Sequence, residues 1–190
     1  MYYDPDKPNV STSTFTWSYC DIQGWGDIRR ELSKLVDHVV RPPSPFWRTD
    51  RMEIYQPHLP LLWGWFDCVG LEPLHIAWVH SLPGSRGSVH TDLGPHELAL
   101  QLPVKDCVDT YTAIYRSIGK PWLKMTVPTG YYWQAEDVEE IARYTLQDKP
   151  IIFNIKHPHS VVNPSKLHRQ AISVRFRVDP WWLTDKYQHG

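Results

Sequence analysis

Pro150-Ile151-Ile152-Phe153-Asn154-Ile155-Lys156-His157-Pro158-His159-Ser160-Val161-Val162-Asn163 is an apolar run of strand length that carries a histidine at its far end. Its isoleucines and phenylalanine suit a pleated surface. The same reading applies outward from it. Leu74 to Leu82, Glu97 to Val104, Thr110 to Tyr115 and Gln170 to Val178 are further short apolar or alternating runs, separated by Gly, Pro, Asp and Asn. Several short strands with turn residues between them predict a sheet-rich sandwich or barrel.

Helices are expected to be few. From Asp27 to Val40 the residues Ile28, Leu32, Leu35, Val36 and Val39 recur at helical spacing, and Pro42-Pro43 supplies a stop. The polar side of that helix, Arg29, Arg30, Glu31, Lys34 and Asp37, reads as a solvated face. Val138, Ile141 and Ala142 suit a helical face too, so Ala135 to Leu146 is read as a short helix. Residues 1 to 14 are polar and aperiodic and read as an extended arm or loosely held terminus. The Pro- and Trp-rich stretch from Arg41 to Gly70 receives no element.

A chain of 190 residues is most economically one domain, 1–190, with its own core. With 42% hydrophobic and 22% charged residues it is expected to fold. A formal net charge of −1 gives no overall attraction to nucleic acid or an anionic membrane. Three widely spaced cysteines fit reduced thiols better than a disulfide framework. Neither a signal peptide nor a spanning segment is visible, so the expected location is the cytoplasm.

The chemistry gathers around two short motifs. On an extended backbone, residues two apart project to the same side, so His90 and Asp92 of His90-Thr91-Asp92 aim an imidazole and a carboxylate at one point. A third ligand comes from the strand quoted above, where His157 and His159 share strand parity. Two histidines and one carboxylate leave three open positions on an iron, the arrangement that oxygen chemistry with non-haem Fe(II) requires. Arg169 opens the final strand, ten residues beyond His159. A guanidinium inside a barrel is costly unless a carboxylate pairs with it, and a dicarboxylate co-substrate would provide one.

From the strand before His90 through Phe176, the sequence resembles the Fe(II)/2-oxoglutarate-dependent oxygenases, particularly their prolyl-hydroxylase and aspartyl/asparaginyl-hydroxylase-like branches. The resemblance implies a mainly β chain, a double-stranded β-helix of jelly-roll or cupin type with one or a few flanking helices. It implies Fe(II) held by His90, Asp92 and His159, with 2-oxoglutarate and O2 as co-substrates. The ten-residue step to Arg169 favours His159 over His157 and makes Arg169 the anchor for the far carboxylate of 2-oxoglutarate. Many members place a Ser or Thr two residues after that arginine. Here Ala171 stands in that position, so Ser173, Tyr111 and Tyr115 are the candidate second contacts.

The activity implied is hydroxylation of an unactivated C–H bond in a small-molecule or peptide substrate, and the presence of Asp92 fits a hydroxylase rather than a halogenase. Trp47, Trp63, Trp65, Trp122, Tyr131, Tyr132 and Trp133 offer aromatic walls that packing alone could also require. Two other readings remain. A cupin-type metalloprotein that does not use 2-oxoglutarate would employ His90, Glu97 and the step from His159 to Asn163. A non-catalytic binding protein on the same fold is the other.

Overall fold

The computed structural model of the chain describes residues 10–11, 13–35, 46–50, 55–92, 94–126 and 129–184, with the side chains of 46–50, 124–126 and 129 left aside. Its strands are β1 (Trp17–Tyr19), β2 (Phe46–Asp50), β3 (Pro73–Ser81), β4 (Ser85–Arg86), β5 (His90–Asp92), β6 (Leu98–Lys105) and β7 (Tyr111–Ser117). They continue as β8 (Leu123–Thr126), β9 (Thr129–Tyr132), β10 (Val138–Tyr144), β11 (Ile151–Asn154), β12 (His159–Asn163) and β13 (Arg169–Phe176). One sheet runs β1-β11-β6-β13-β3-β2 and the other β10-β7-β12-β5-β9-β8, with β4 paired to β12. All pairings are antiparallel. The chain crosses between sheets from β3 to β4, β5 to β6, β6 to β7, β10 to β11, β11 to β12 and β12 to β13. The result is a double-stranded β-helix.

Side-chain parity divides the first sheet into two working faces. Ile76, Trp78, Leu98, Leu100, Leu102, Ile152, Ile172, Val174 and Phe176 pack outward beneath the helices in one core cluster. Ala99, Ile151, Phe153 and Ala171 turn inward and join Ile114 and Tyr144 from the facing sheet in a second cluster. β6 and β11 are therefore buried on both sides, which is why they read as continuous apolar runs rather than alternating ones. The inner face of β13 carries Arg169, Ala171, Ser173 and Arg175.

Helix α1 (Trp25–Lys34) follows Gly24, which holds a left-handed φ of 74°, and buries Ile28 and Leu32. The continuation expected from residue 36 to Val40 lies outside the described residues. Its polar side does more than meet water. Glu31 accepts the backbone N–H groups of Leu61 (3.1 Å) and Leu62 (3.3 Å), capping α2 (Pro60–Cys68), and Arg29 pairs with Asp148 at 2.6 Å. The α2 helix was not expected from its sequence, because Leu61-Leu62-Trp63-Gly64-Trp65-Phe66 is apolar on nearly every side and shows no helical period. Among the described residues no helix is long and apolar enough to cross a membrane.

The helix read into Ala135–Leu146 is absent. Ala135–Asp137 forms one 3-10 turn, and Val138–Tyr144 is strand β10, paired with β7. A bulge between Glu140 and Ala142 explains the misreading. One extra residue breaks the period of two and leaves Val138, Ile141 and Ala142 at helix-like intervals. Where it is described, the arm lies against β11 and the segment after it. The Ser11 amide donates to the Lys156 carbonyl (3.3 Å) and the Ser11 hydroxyl accepts from Asn154 Nδ2 (2.9 Å).

Candidate metal centre

The segment 151–160 is buried throughout, so each of its polar groups needs an internal partner. These partners build the site. Asn154 Oδ1 accepts the Lys156 amide (2.9 Å), and the buried Lys156 ammonium donates to the carbonyls of Asp92 (3.0 Å) and Gly94 (2.6 Å). His157 turns toward the N-terminal arm, with Nε2 3.1 Å from the Ser13 carbonyl. That leaves His159 as the histidine of this segment that faces inward.

His159 lies directly opposite His90 across β12 and β5, and their rings are 4.5 Å apart. His90 Nδ1 is 2.9 Å from the Ser88 carbonyl, and His159 Nδ1 is 2.9 Å from the His157 carbonyl. A carbonyl only accepts, so in both rings the proton sits on Nδ1 and the Nε2 lone pair is free. Asp92, two residues beyond His90, brings Oδ1 to 3.9 Å from His90 Nε2 and accepts Arg175 Nη2 on Oδ2 at 2.5 Å. One carboxylate oxygen is thus committed to the guanidinium and the other faces the imidazoles. The donor atoms of His90, Asp92 and His159 all lie within 4.8 Å of one another, the one such group among the described residues.

Burial and the neighbouring His90 push His159 down to about 4, and burial pulls Lys156 down to about 8. His159 is therefore a neutral imidazole at neutral pH, the form that coordinates a metal. Tyr132, half-buried, stacks on His90 with ring centroids 5.6 Å apart, and its phenol is raised by burial and then by Asp92.

The interior continues from His159 to Arg169 through an unbroken set of contacts. Phe153 lies 5.3 Å from the His159 ring and 5.7 Å from Tyr144. The Tyr144 hydroxyl donates to Gln101 Oε1 (3.0 Å), which also takes a long 3.5 Å contact from Arg169 Nη2. Arg169 is 1% exposed, yet Nε and Nη1 have no partner, and it makes no ion pair among the described residues. Beside it, burial raises the Cys107 thiol, whose Sγ donates to the Gln170 carbonyl (3.1 Å).

The other expected contacts divide. Ser173 shares the inner face of β13 with Arg169 and Arg175. Tyr111 and Tyr115 lie on the other side of β7, away from this interior. They have strand parity opposite to Thr112 and Ile114. The Tyr111 ring sits under the exposed Arg143 guanidinium at 4.7 Å, and the Tyr115 hydroxyl accepts from Arg86 (3.1 Å). Gln101 and Tyr144 take their place beside Arg169. Gln101 had a readable signal, as the polar residue in Leu98-Ala99-Leu100-Gln101-Leu102, whereas Tyr144 was hidden in the misread helix. The cupin ligand set is not assembled either, since Glu97 lies outside the group and Asn163 is spent on the Ser81 (3.0 Å) and Leu167 (2.9 Å) carbonyls.

No protein-family model matches this sequence, and no curated protein matches it. Solved structures do match in shape. The epimerase SnoN in complex with Fe3+, alpha-ketoglutarate and nogalamycin RO aligns over 87% of this chain and 79% of its own, at 11% identity and a TM-score of 0.54. The alpha-ketoglutarate-dependent carbocyclase SnoK, also from nogalamycin biosynthesis, aligns over 85% and 80%, at 10% identity and a TM-score of 0.51. At such identities the likeness is one of fold.

Proposed function

We propose that the chain is a non-haem Fe(II)- and 2-oxoglutarate-dependent oxygenase that hydroxylates an unactivated C–H bond of a small-molecule or peptide substrate. The observation that carries this reading is the pairing, in one interior, of a His/Asp/His donor group with a buried guanidinium that lacks a carboxylate. A buried charge is tolerated when paired, so Arg169 is incomplete without an anion. The donor group suits a divalent iron, and Arg169 would take the far end of a ligand with an acidic group at each end. SnoN, which shares the fold, was solved with both Fe3+ and alpha-ketoglutarate.

Each residue then has a defined task. His90 and His159 present Nε2, and Asp92 presents Oδ1 while Arg175 holds Oδ2. Arg169 pairs with the far carboxylate of 2-oxoglutarate, supported by Gln101 and Tyr144, with Ser173 on the same strand face. Tyr132, stacked on His90, would shape the mouth where substrate approaches. Iron, with 2-oxoglutarate and O2, would supply the oxidising power for hydroxylation, with succinate and CO2 as by-products.

The test is anaerobic addition of Fe(II) and then 2-oxoglutarate, watched for the visible charge-transfer band of their chelate. Oxygen-dependent succinate formation should follow. A protein that takes up Fe(II) but develops neither the band nor succinate is not this enzyme.

A further inference from the structure

Lys156 is a lysine with 1% exposure, three positions before His159. Taking an ammonium out of water is costly, and a side chain placed only to fill space would be apolar. Its hydrogen bonds show another use. Both go to main-chain carbonyls of the segment leaving β5, those of Asp92 (3.0 Å) and Gly94 (2.6 Å), and Gly94 holds a φ of 106° that L side chains rarely adopt. Around them the Asp92 amide donates to the Ile155 carbonyl (3.3 Å) and the Ile155 amide to the Glu97 carbonyl (2.8 Å). The segment carrying Asp92 is laced onto the segment carrying His159, with the ammonium as its side-chain tie.

From this geometry we infer that Lys156 is a positioning residue, which fixes the Asp92 backbone so that its carboxylate faces His90 and His159. The inference rests on the reading of those three residues as a metal centre. Asp92, Glu97 and Asp179 surround Lys156 with negative charge, and Arg175 adds a second cation. Charge alone predicts that a nearby ammonium repels a dication, so its removal would tighten metal binding. Positioning predicts the opposite sign.

The experiment titrates metal-free protein with Co(II), following the absorption bands of the bound ion. Wild type should bind one equivalent, and His90→Ala should abolish it. Lys156→Met, close in length and apolar, should bind at least tenfold more weakly with altered bands, the range typical for groups that orient ligands. Lys156→Gln, which keeps a polar group, carries the test if Lys156→Met does not fold, and it too should bind more weakly. Unchanged or tighter Co(II) binding by the folded variant overturns the role of Lys156 while leaving the centre intact. A wild type that binds no Co(II), or binds it equally well after His90→Ala, overturns the centre and this role together.

Discussion

Arg169 and Arg175 stand on the same inner face of β13 and are satisfied in opposite ways. Arg175, 14% exposed in its side chain, has its carboxylate in the protein itself, Asp92 Oδ2 at 2.5 Å. Arg169 is more deeply buried, and among the described residues its side chain has the long contact to Gln101 and no ion pair. One end of the interior is therefore closed by the chain's own charges and the other is left open. A buried cation without a counter-charge is where a ligand's charge would be accommodated, whereas a paired one can hold its partner in place.

The largest expected effect separates these two arginines. Arg169→Ala should raise the 2-oxoglutarate requirement about a hundredfold or more, because a charge-assisted partner is lost from a buried carboxylate. Iron affinity should hardly move. Steady-state kinetics over 2-oxoglutarate at saturating iron, beside a metal titration, reads both quantities. If Arg175→Ala produced that pattern and Arg169→Ala did not, the assignment of the two ends would be reversed.

Next in size is an acid effect at the donor end. His159 in the folded, metal-free protein sits at about 4, below the ordinary histidine value of about 6.5. Between these values the unfolded chain binds a proton that the folded chain refuses. Stability therefore falls as pH drops from about 6.5 toward 4, by up to about 3 kcal/mol at the acid end. Urea unfolding at a series of pH values should show this slope in wild type and a weaker one in His159→Asn. Equal slopes would place the acid sensitivity elsewhere.

Arg175→Ala should act more mildly and on the other ligand. Freed of its guanidinium, Asp92 loses an orienting partner, and metal affinity should fall about tenfold. At saturating metal the 2-oxoglutarate requirement should stay within about threefold. A large rise in that requirement would mean that Arg175 reaches the co-substrate as well.

How much of this was legible depended on what carried each feature. The strands from Leu74, Glu97, Thr110, Ile151 and Gln170 stood out because burial on one or both faces writes itself into residue type. The division of β13 into an arginine face and the Ile172, Val174, Phe176 face followed from a period of two. Features that depend on partners distant in sequence did not show. Glu31 caps a helix thirty residues away, Lys156 ties down a loop on another strand, and His157 turns from the interior because Ser13 offers it a carbonyl. The β10 bulge disguised a strand as a helix and concealed Tyr144 with it.

Tyr144 gives the smallest expected effect and the finest test of the open end. Burial raises its phenol above the ordinary value, so the hydroxyl remains a donor at any working pH, and it donates to Gln101 Oε1 at 3.0 Å. The same oxygen takes the 3.5 Å contact from Arg169, so Tyr144 reaches the anchor through one intermediate. A hydrogen bond between neutral groups is worth about 1 kcal/mol net, less than the charge-assisted bond assigned to Arg169. Tyr144→Phe keeps the ring against Phe153 and removes only the donor. It should therefore raise the 2-oxoglutarate requirement by about fivefold, leaving metal affinity unchanged. A loss near that of Arg169→Ala would mean that the hydroxyl contacts the co-substrate directly, and no loss at all would remove Gln101 and Tyr144 from the anchor. Either result redraws the open end while leaving the closed end, built on Asp92 and Arg175, as it stands.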